Sequence, residues 1–79
     1  MNLTILSPEE KKSMAIAWIE INTSAGNFVI QPNHAPTIFL ISPHQPITIC
    51  LANGKKETFT KSGGTLEVQR DAVTLLVDQ

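Results

Sequence analysis

Gly26-Asn27-Phe28-Val29-Ile30-Gln31-Pro32-Asn33-His34-Ala35-Pro36 joins a short apolar run to a loop closed by two prolines. Gly26 sits at a turn, and Phe28 to Ile30 reads as a short strand. Each proline fixes its own φ and pushes the residue before it out of the helical region, so Gln31 and Ala35 are expected to be extended. The polar pair Asn33-His34 is thereby held in one place against a sheet edge or corner. A strand running into such a loop decides between helix and sheet for this region. The residues on either side extend the same answer.

Outward from that stretch the dominant period is two. Leu3 and Ile5 alternate with Asn2 and Thr4 in a first strand that Ser7-Pro8 ends. Glu9 to Ser13 reads as a solvated turn, with one helical turn over Pro8–Ala15 as the alternative, because Ser7-Pro8-Glu9-Glu10 resembles a cap. Met14 to Asn22 is the longest apolar run and reads as a central strand, turned by Thr23 to Gly26. Strict alternation puts Ala17, Ile19 and Ile21 on one face and Ile16, Trp18 and Glu20 on the other. Trp18 then either faces outward as an interface aromatic or lies in a strand buried on both sides.

Past the loop, Thr37 to Ile41 is a β-branched run closed by Ser42-Pro43-His44-Gln45-Pro46. Ile47, Ile49 and Leu51 alternate with Thr48 and Cys50, and Pro46 suggests an edge strand there. Asn53-Gly54 signals a hairpin with a type I′ turn and Lys56 to Lys61 as the returning strand. Gly63-Gly64 permits a sharp reversal or bulge. Leu66 with Val68, then Val73 with Leu75 and Val77, give two last strands around Arg70-Asp71-Ala72. About eight short strands without a convincing helix predict an all-β domain, a small antiparallel sandwich or flattened barrel over residues 1–79.

Composition narrows the function classes. With 79 residues, 42% of them hydrophobic and a formal net charge of −1, the chain can fill one small core. No charge block suggests a nucleic-acid groove. No apolar run approaches the ~20 residues of a spanning helix, and Met1 to Leu6 lacks the basic leader and apolar core of a signal peptide. Cys50 is the only cysteine, so a reducing, intracellular setting is expected and no intrachain disulfide can form. His34, His44 and Cys50 match no zinc spacing, and Gly-x-Ser-x-Gly and phosphate-loop motifs are absent. No cofactor, metal or catalytic residue is expected. His34 itself has two readings, a loop histidine bonded to backbone under the prolines or a contact for a partner.

Two motifs carry a resemblance. Gly26-x-Phe28-x-Ile30-x-Pro32-Asn33-His34-Ala35-Pro36 is one, and Ser62-Gly63-Gly64-Thr65-Leu66-Glu67-Val68 followed by Val73 to Asp78 is the other. In this order and spacing they resemble the N-terminal β-sandwich domain of the epsilon subunits of F-type ATP synthases, the counterpart of mitochondrial delta. Three departures stand out: Asn27 at a frequently acidic position, Val29 at a usual glycine, and His44-Gln45-Pro46 in place of a glycine-containing turn.

The resemblance implies a non-catalytic rotor subunit that docks on the gamma subunit and the loops of the c-ring and meets the alpha-beta head only indirectly. Such a subunit helps couple proton or sodium translocation to ATP synthesis or hydrolysis; the alternative is a free-standing protein-binding module that keeps the sandwich outside the motor. It implies a peripheral location on the cytoplasmic face of the bacterial inner membrane, or the stromal side of thylakoids, without insertion into the bilayer. It also implies a contact surface of Gly26, Asn27, Phe28, Gln31, Pro32, Asn33 and His34, with Trp18 added from its own reading. Asn53, Gly54, Gly63 and Gly64 are read as structural turns. The helical hairpin that follows the sandwich in family members does not occur within these 79 residues, so no helix-borne inhibition is expected of them.

Overall fold

Period-two patterning yields eight strands and no helix in the computed structural model, which describes residues 1–78. They are β1 (Asn2–Leu6), β2 (Lys11–Thr23), β3 (Gly26–Ile30), β4 (Thr37–Ile41), β5 (Ile47–Leu51), β6 (Lys56–Phe59), β7 (Gly64–Val68) and β8 (Ala72–Val77). Hydrogen bonding runs in the order β4-β7-β8-β1-β2-β5-β6, with β3 attached to β2 off that path. The sheet curls on itself into a sandwich. All pairs are antiparallel except β1 with β8, which run parallel from Asn2 opposite Ala72 to Leu6 opposite Leu76.

Strand β2 makes the fold close. Its first part pairs with β1 and its second with β5 and β3, so one 13-residue strand belongs to both layers. Between Ile16 and Trp18 the chain advances two residues while β5 advances one, from Leu51 to Cys50. This is a β-bulge, and it bends and twists a strand at the place where it changes layers.

The bulge also shifts the side-chain parity. Ile16 points inward before it, and Ile19 and Ile21 point inward after it, while Ala17 is exposed. Strict alternation had put Ile16 outside and Ala17 inside. The extra residue reverses both.

Three further expectations change. Lys11, Lys12 and Ser13 continue β2 instead of forming a turn, paired with Leu6, Ile5 and Thr4. Their exposed side chains leave no apolar signal, and backbone pairing with β1 makes the strand. The turn itself is Ser7 to Glu10, with Ser7 Oγ accepting the Glu10 N–H at 3.1 Å, so Pro8–Ala15 is not helical. Strand β5 lies between β2 and β6 and is not an edge. Pro46 precedes it, where its missing N–H interrupts no ladder, and its carbonyl accepts Asn22 Nδ2–H at 3.2 Å.

The Asn53-Gly54 hairpin forms, with a different turn. Gly54 has φ +92°, but Asn53 is not among the residues with positive φ. Gly54 N–H donates to Leu51 O, Leu51 N–H to Lys55 O, and Lys55 N–H to Asn53 Oδ1. That pattern is a type I turn followed by a left-handed glycine, a three-residue loop in place of the two-residue type I′. At Gly64 the requirement is space. A Cβ there would overlap the Leu76 carbonyl oxygen of β8 and press on Val77 Cγ1.

The core is aliphatic. Leu3, Ile19, Ile21, Ile30, Ile47, Ile49, Leu66 and Leu75 are completely or almost completely buried, and among the described residues no polar or charged side chain is buried with them. Each such side chain contributes roughly 1.5–3 kcal/mol relative to exposure.

Candidate docking surfaces

Local chemistry makes the proline-clamped loop rigid. Asn33 adopts φ +68°, a left-handed conformation that asparagine tolerates better than most residues. Its N–H donates to Arg70 O at 2.7 Å, tying the loop to the turn between β7 and β8. His34 Nδ1 lies 2.7 Å from the Ala35 carbonyl oxygen, which also accepts Thr37 Oγ1–H at 2.9 Å. The His34 ring is partly buried, 6.2 Å centroid to centroid from Phe39.

Phe39 in turn packs on Phe28, 5.0 Å away and tilted by 45°, within the range of favourable aromatic pairs. The chain of rings links the loop to the open side of the sandwich between β3 and β4. Phe28 therefore serves packing, with its ring turned toward the core.

The remaining residues of the expected contact surface do not form one patch. Gly26, at φ +127°, opens β3 at the tip of the β2–β3 hairpin. Pro32 to His34 lie beyond the other end of that strand, an end that is itself roughly 13 Å from Gly26 at the usual strand rise. Asn27 Nδ2 is spent on Ile21 O and Asn22 Oδ1. Gln31, Pro32 and Asn33 are exposed beside His34 and do form a continuous group with it.

Trp18 is outside the core and only half-buried, so its strand is not buried on both sides. It pairs with Cys50, which pairs with Lys56, so the three make one outward row across β2, β5 and β6. Lys56 Nζ sits 5.6 Å from the Trp18 ring centre, a cation–π arrangement that covers the indole. Cys50 in this row is itself buried.

A second surface escaped the sequence reading. On the outer face of β4, Ile38 and Leu40 are 69% and 72% exposed. Leu40 stands opposite Thr65, Thr65 opposite Leu76, and Leu76 opposite Leu6, giving a row across four strands. Leu76 is 40% exposed. The parallel row runs Ile38, Glu67, Thr74, Thr4, and Glu67 is its one charge. Two large aliphatic side chains this exposed on one strand are uncommon away from an interaction site. Alternation within Thr37–Ile41 was visible in the sequence, but nothing local said that Ile38 and Leu40 were the outward set.

Among the described residues no three of His, Cys, Asp and Glu gather as a metal site would need. An open groove of about 290 Å³ lies between β1–β2 and β5–β6. Glu10 and Glu57 oppose Lys12 and Lys61 around its apolar floor, so it presents no net charge to a ligand.

With this geometry in place, comparison with known proteins points one way. The model of the family described as ATP synthase, Delta/Epsilon chain, beta-sandwich domain matches residues 1–79. An ATP synthase epsilon chain of Acinetobacter baumannii is 38% identical over 79 residues, covering 99% of this chain and 56% of that one. One from Xanthomonas euvesicatoria is 45% identical over 75 residues, covering 94% of this chain and 53% of that one. The chain thus spans just over half the length of these relatives. Among solved structures, a chain of the Euglena gracilis mitochondrial ATP synthase (OSCP/F1/c-ring) superposes with TM-score 0.89 at 25% identity, over 98% of this chain and 49% of that one. A chain of the Tetrahymena thermophila mitochondrial ATP synthase central stalk/c-ring superposes with TM-score 0.83 at 20% identity, over 100% of this chain and 63% of that one, a likeness of fold.

Proposed function

The chain belongs to the ATP synthase delta/epsilon β-sandwich family, and from that premise we propose that it docks on the gamma subunit and the c-ring loops as a non-catalytic part of the rotor. The family match over all 79 residues is the observation that carries this reading. Two surfaces suit the two contacts. Ile38 and Leu40 on β4, with Leu76 on β8, offer exposed apolar side chains of the type that anchor interfaces, set among Thr65, Glu67 and Thr74. The polar end around Gln31 to His34 offers directional contacts. In this role the domain passes torque between ion flow and the alpha-beta head without doing chemistry, and it lies at the membrane surface as a peripheral component.

The test is retention of the chain on immobilised gamma subunit from the same organism, with and without c-ring. Wild type should be retained, and the double variant Ile38→Lys, Leu40→Lys should be lost. Wild type that binds neither subunit would falsify the assignment. Calorimetry with ATP should show no saturable binding to the isolated chain; a micromolar site would assign this sandwich a nucleotide role instead.

A further inference from the structure

Of the five asparagines, Asn53 alone precedes a glycine; Asn2, Asn22, Asn27 and Asn33 precede Leu3, Thr23, Phe28 and His34. The carboxamide of an asparagine can be attacked by the backbone nitrogen of the next residue, closing a five-membered imide. A side chain on that next residue crowds the attack, and Gly54 has none. Both Asn53 and Gly54 are exposed, and the space a Cβ would take at Gly54 is open. Asn22 and Asn27, by contrast, hold their Nδ2 atoms on the carbonyls of Pro46 and Ile21.

The sequence marks the site, and the fold controls its reactivity. Gly54 N–H donates to Leu51 O at 2.8 Å, so the attacking nitrogen keeps its proton in a hydrogen bond. Asn53 Oδ1 accepts Lys55 N–H at 2.9 Å, which ties the carboxamide down. Asn53 is also the third residue of the type I turn, where ψ is about 0°. At that angle Gly54 N eclipses the nitrogen of Asn53, whereas ring closure requires it to eclipse Cβ. The turn therefore keeps the two reacting atoms apart while its Gly54–Leu51 bond is intact.

We propose that Asn53 is a self-modification site, deamidating only when the tip of the β5–β6 hairpin opens. Once Leu51 O is released, the Gly54 amide yields its proton to solvent and its nitrogen bonds to Asn53 Cγ. The bond from Cγ to Nδ2 breaks, and the side-chain nitrogen takes a proton from solvent and leaves as ammonia. Water then opens the imide at either carbonyl, giving aspartate or isoaspartate. The net change consumes one water and releases one ammonia, with no oxidation or reduction. In isoaspartate the main chain runs through Cβ and Cγ and is one carbon longer. A three-residue loop lengthened in this way does not rebuild both its Gly54–Leu51 and Leu51–Lys55 bonds.

The chain is aged at mildly alkaline pH with and without guanidinium, digested, and searched for isoaspartate by peptide mapping. Product should collect at Asn53 in both samples and be absent from Asn53→Gln. It should form roughly ten-fold more slowly in the folded chain, because only the open fraction reacts. That slowing should match the hydrogen-exchange protection of the Gly54 amide within about three-fold, since both processes need the same bond broken. The isoaspartate form, separated by ion exchange, should exchange its Leu51 amide faster than the parent chain. Product at another asparagine ahead of Asn53 overturns the site. Equal rates in folded and denatured chain, or a slowing unrelated to Gly54 protection, overturn the gate. Unchanged Leu51 exchange after isoaspartate formation overturns the claim that the loop fails to rebuild.

Discussion

Strands β4 and β6 terminate the same hydrogen-bonded path and are finished in opposite ways. Strand β6 reads Lys-Glu-Thr-Phe, and lysines at 55 and 61 flank it. Strand β4 reads Thr-Ile-Phe-Leu-Ile, without a charge, between Pro36 and Pro43. A strand edge exposes unpaired N–H and C=O groups, and charged side chains are the common protection against stray pairing. The lysines of β6 do that, and Lys56 also shields Trp18. The uncharged β4 edge exposes Ile38 and Leu40, and Leu76 lies two strands away in the row of Leu40, which fits a face that a partner covers. Two edges of one sheet thus separate a surface built for water from one suited to a protein.

The strongest way to break the contrast is to remove the support of β4 alone. Gly64→Ala should push a Cβ into the Leu76 carbonyl, loosen β7 against β8, and destabilise the fold by about 3 kcal/mol in chemical denaturation. Hydrogen exchange should accelerate first in β4 and β7, while β5 and β6 keep their protection. Uniform acceleration would mean that the edges are not independent.

Exchanging the character of the edge is gentler. Ile38→Lys with Leu40→Lys should change stability by less than about 1 kcal/mol, because both side chains are already in water. Affinity for gamma subunit should fall roughly 100-fold, the equivalent of about 2.7 kcal/mol from two buried anchors. Lys55→Thr with Lys56→Thr should leave that affinity within about two-fold. Equal losses from both edges would erase the distinction.

Smaller effects probe how β6 is shaped. Gly54→Ala places a Cβ in open space but at φ +92°, so it should lose about 1 kcal/mol of stability with docking unaffected. Lys56→Ala removes the cation over Trp18 and should cost about 0.5 kcal/mol, with a change in tryptophan emission as the indole is uncovered. Emission that does not move would show the lysine to be elsewhere in solution.

How much was legible depended on whether a signal was local. The hairpin at Asn53-Gly54 could be placed from two residues, yet its turn type depended on how Leu51 and Lys55 pair, several residues apart. The start of β2 at Lys11 was hidden because exposed lysines look alike in strand and turn. The outward side of β4 was hidden for a different reason. Thr37, Phe39 and Ile41 are as plausible outside as Ile38 and Leu40 until Leu66 and Val68 on β7 take the inner positions opposite Phe39 and Thr37. The contact surface expected from Gly26 to His34 was likewise continuous in sequence but spread along a strand in space.

What the sequence by itself determined was the set of strands, the rigid loop and the family, because proline geometry, alternation and two ordered motifs act over a few residues at a time. Only the tertiary structure decided the faces and the neighbours. The bulge at Ala17, the parallel pairing of β1 with β8 and the close approach of Gly64 to Leu76 all arise between segments far apart in the chain. A side chain's period tells which residues share a face, but which face meets the core is settled by whatever packs against it.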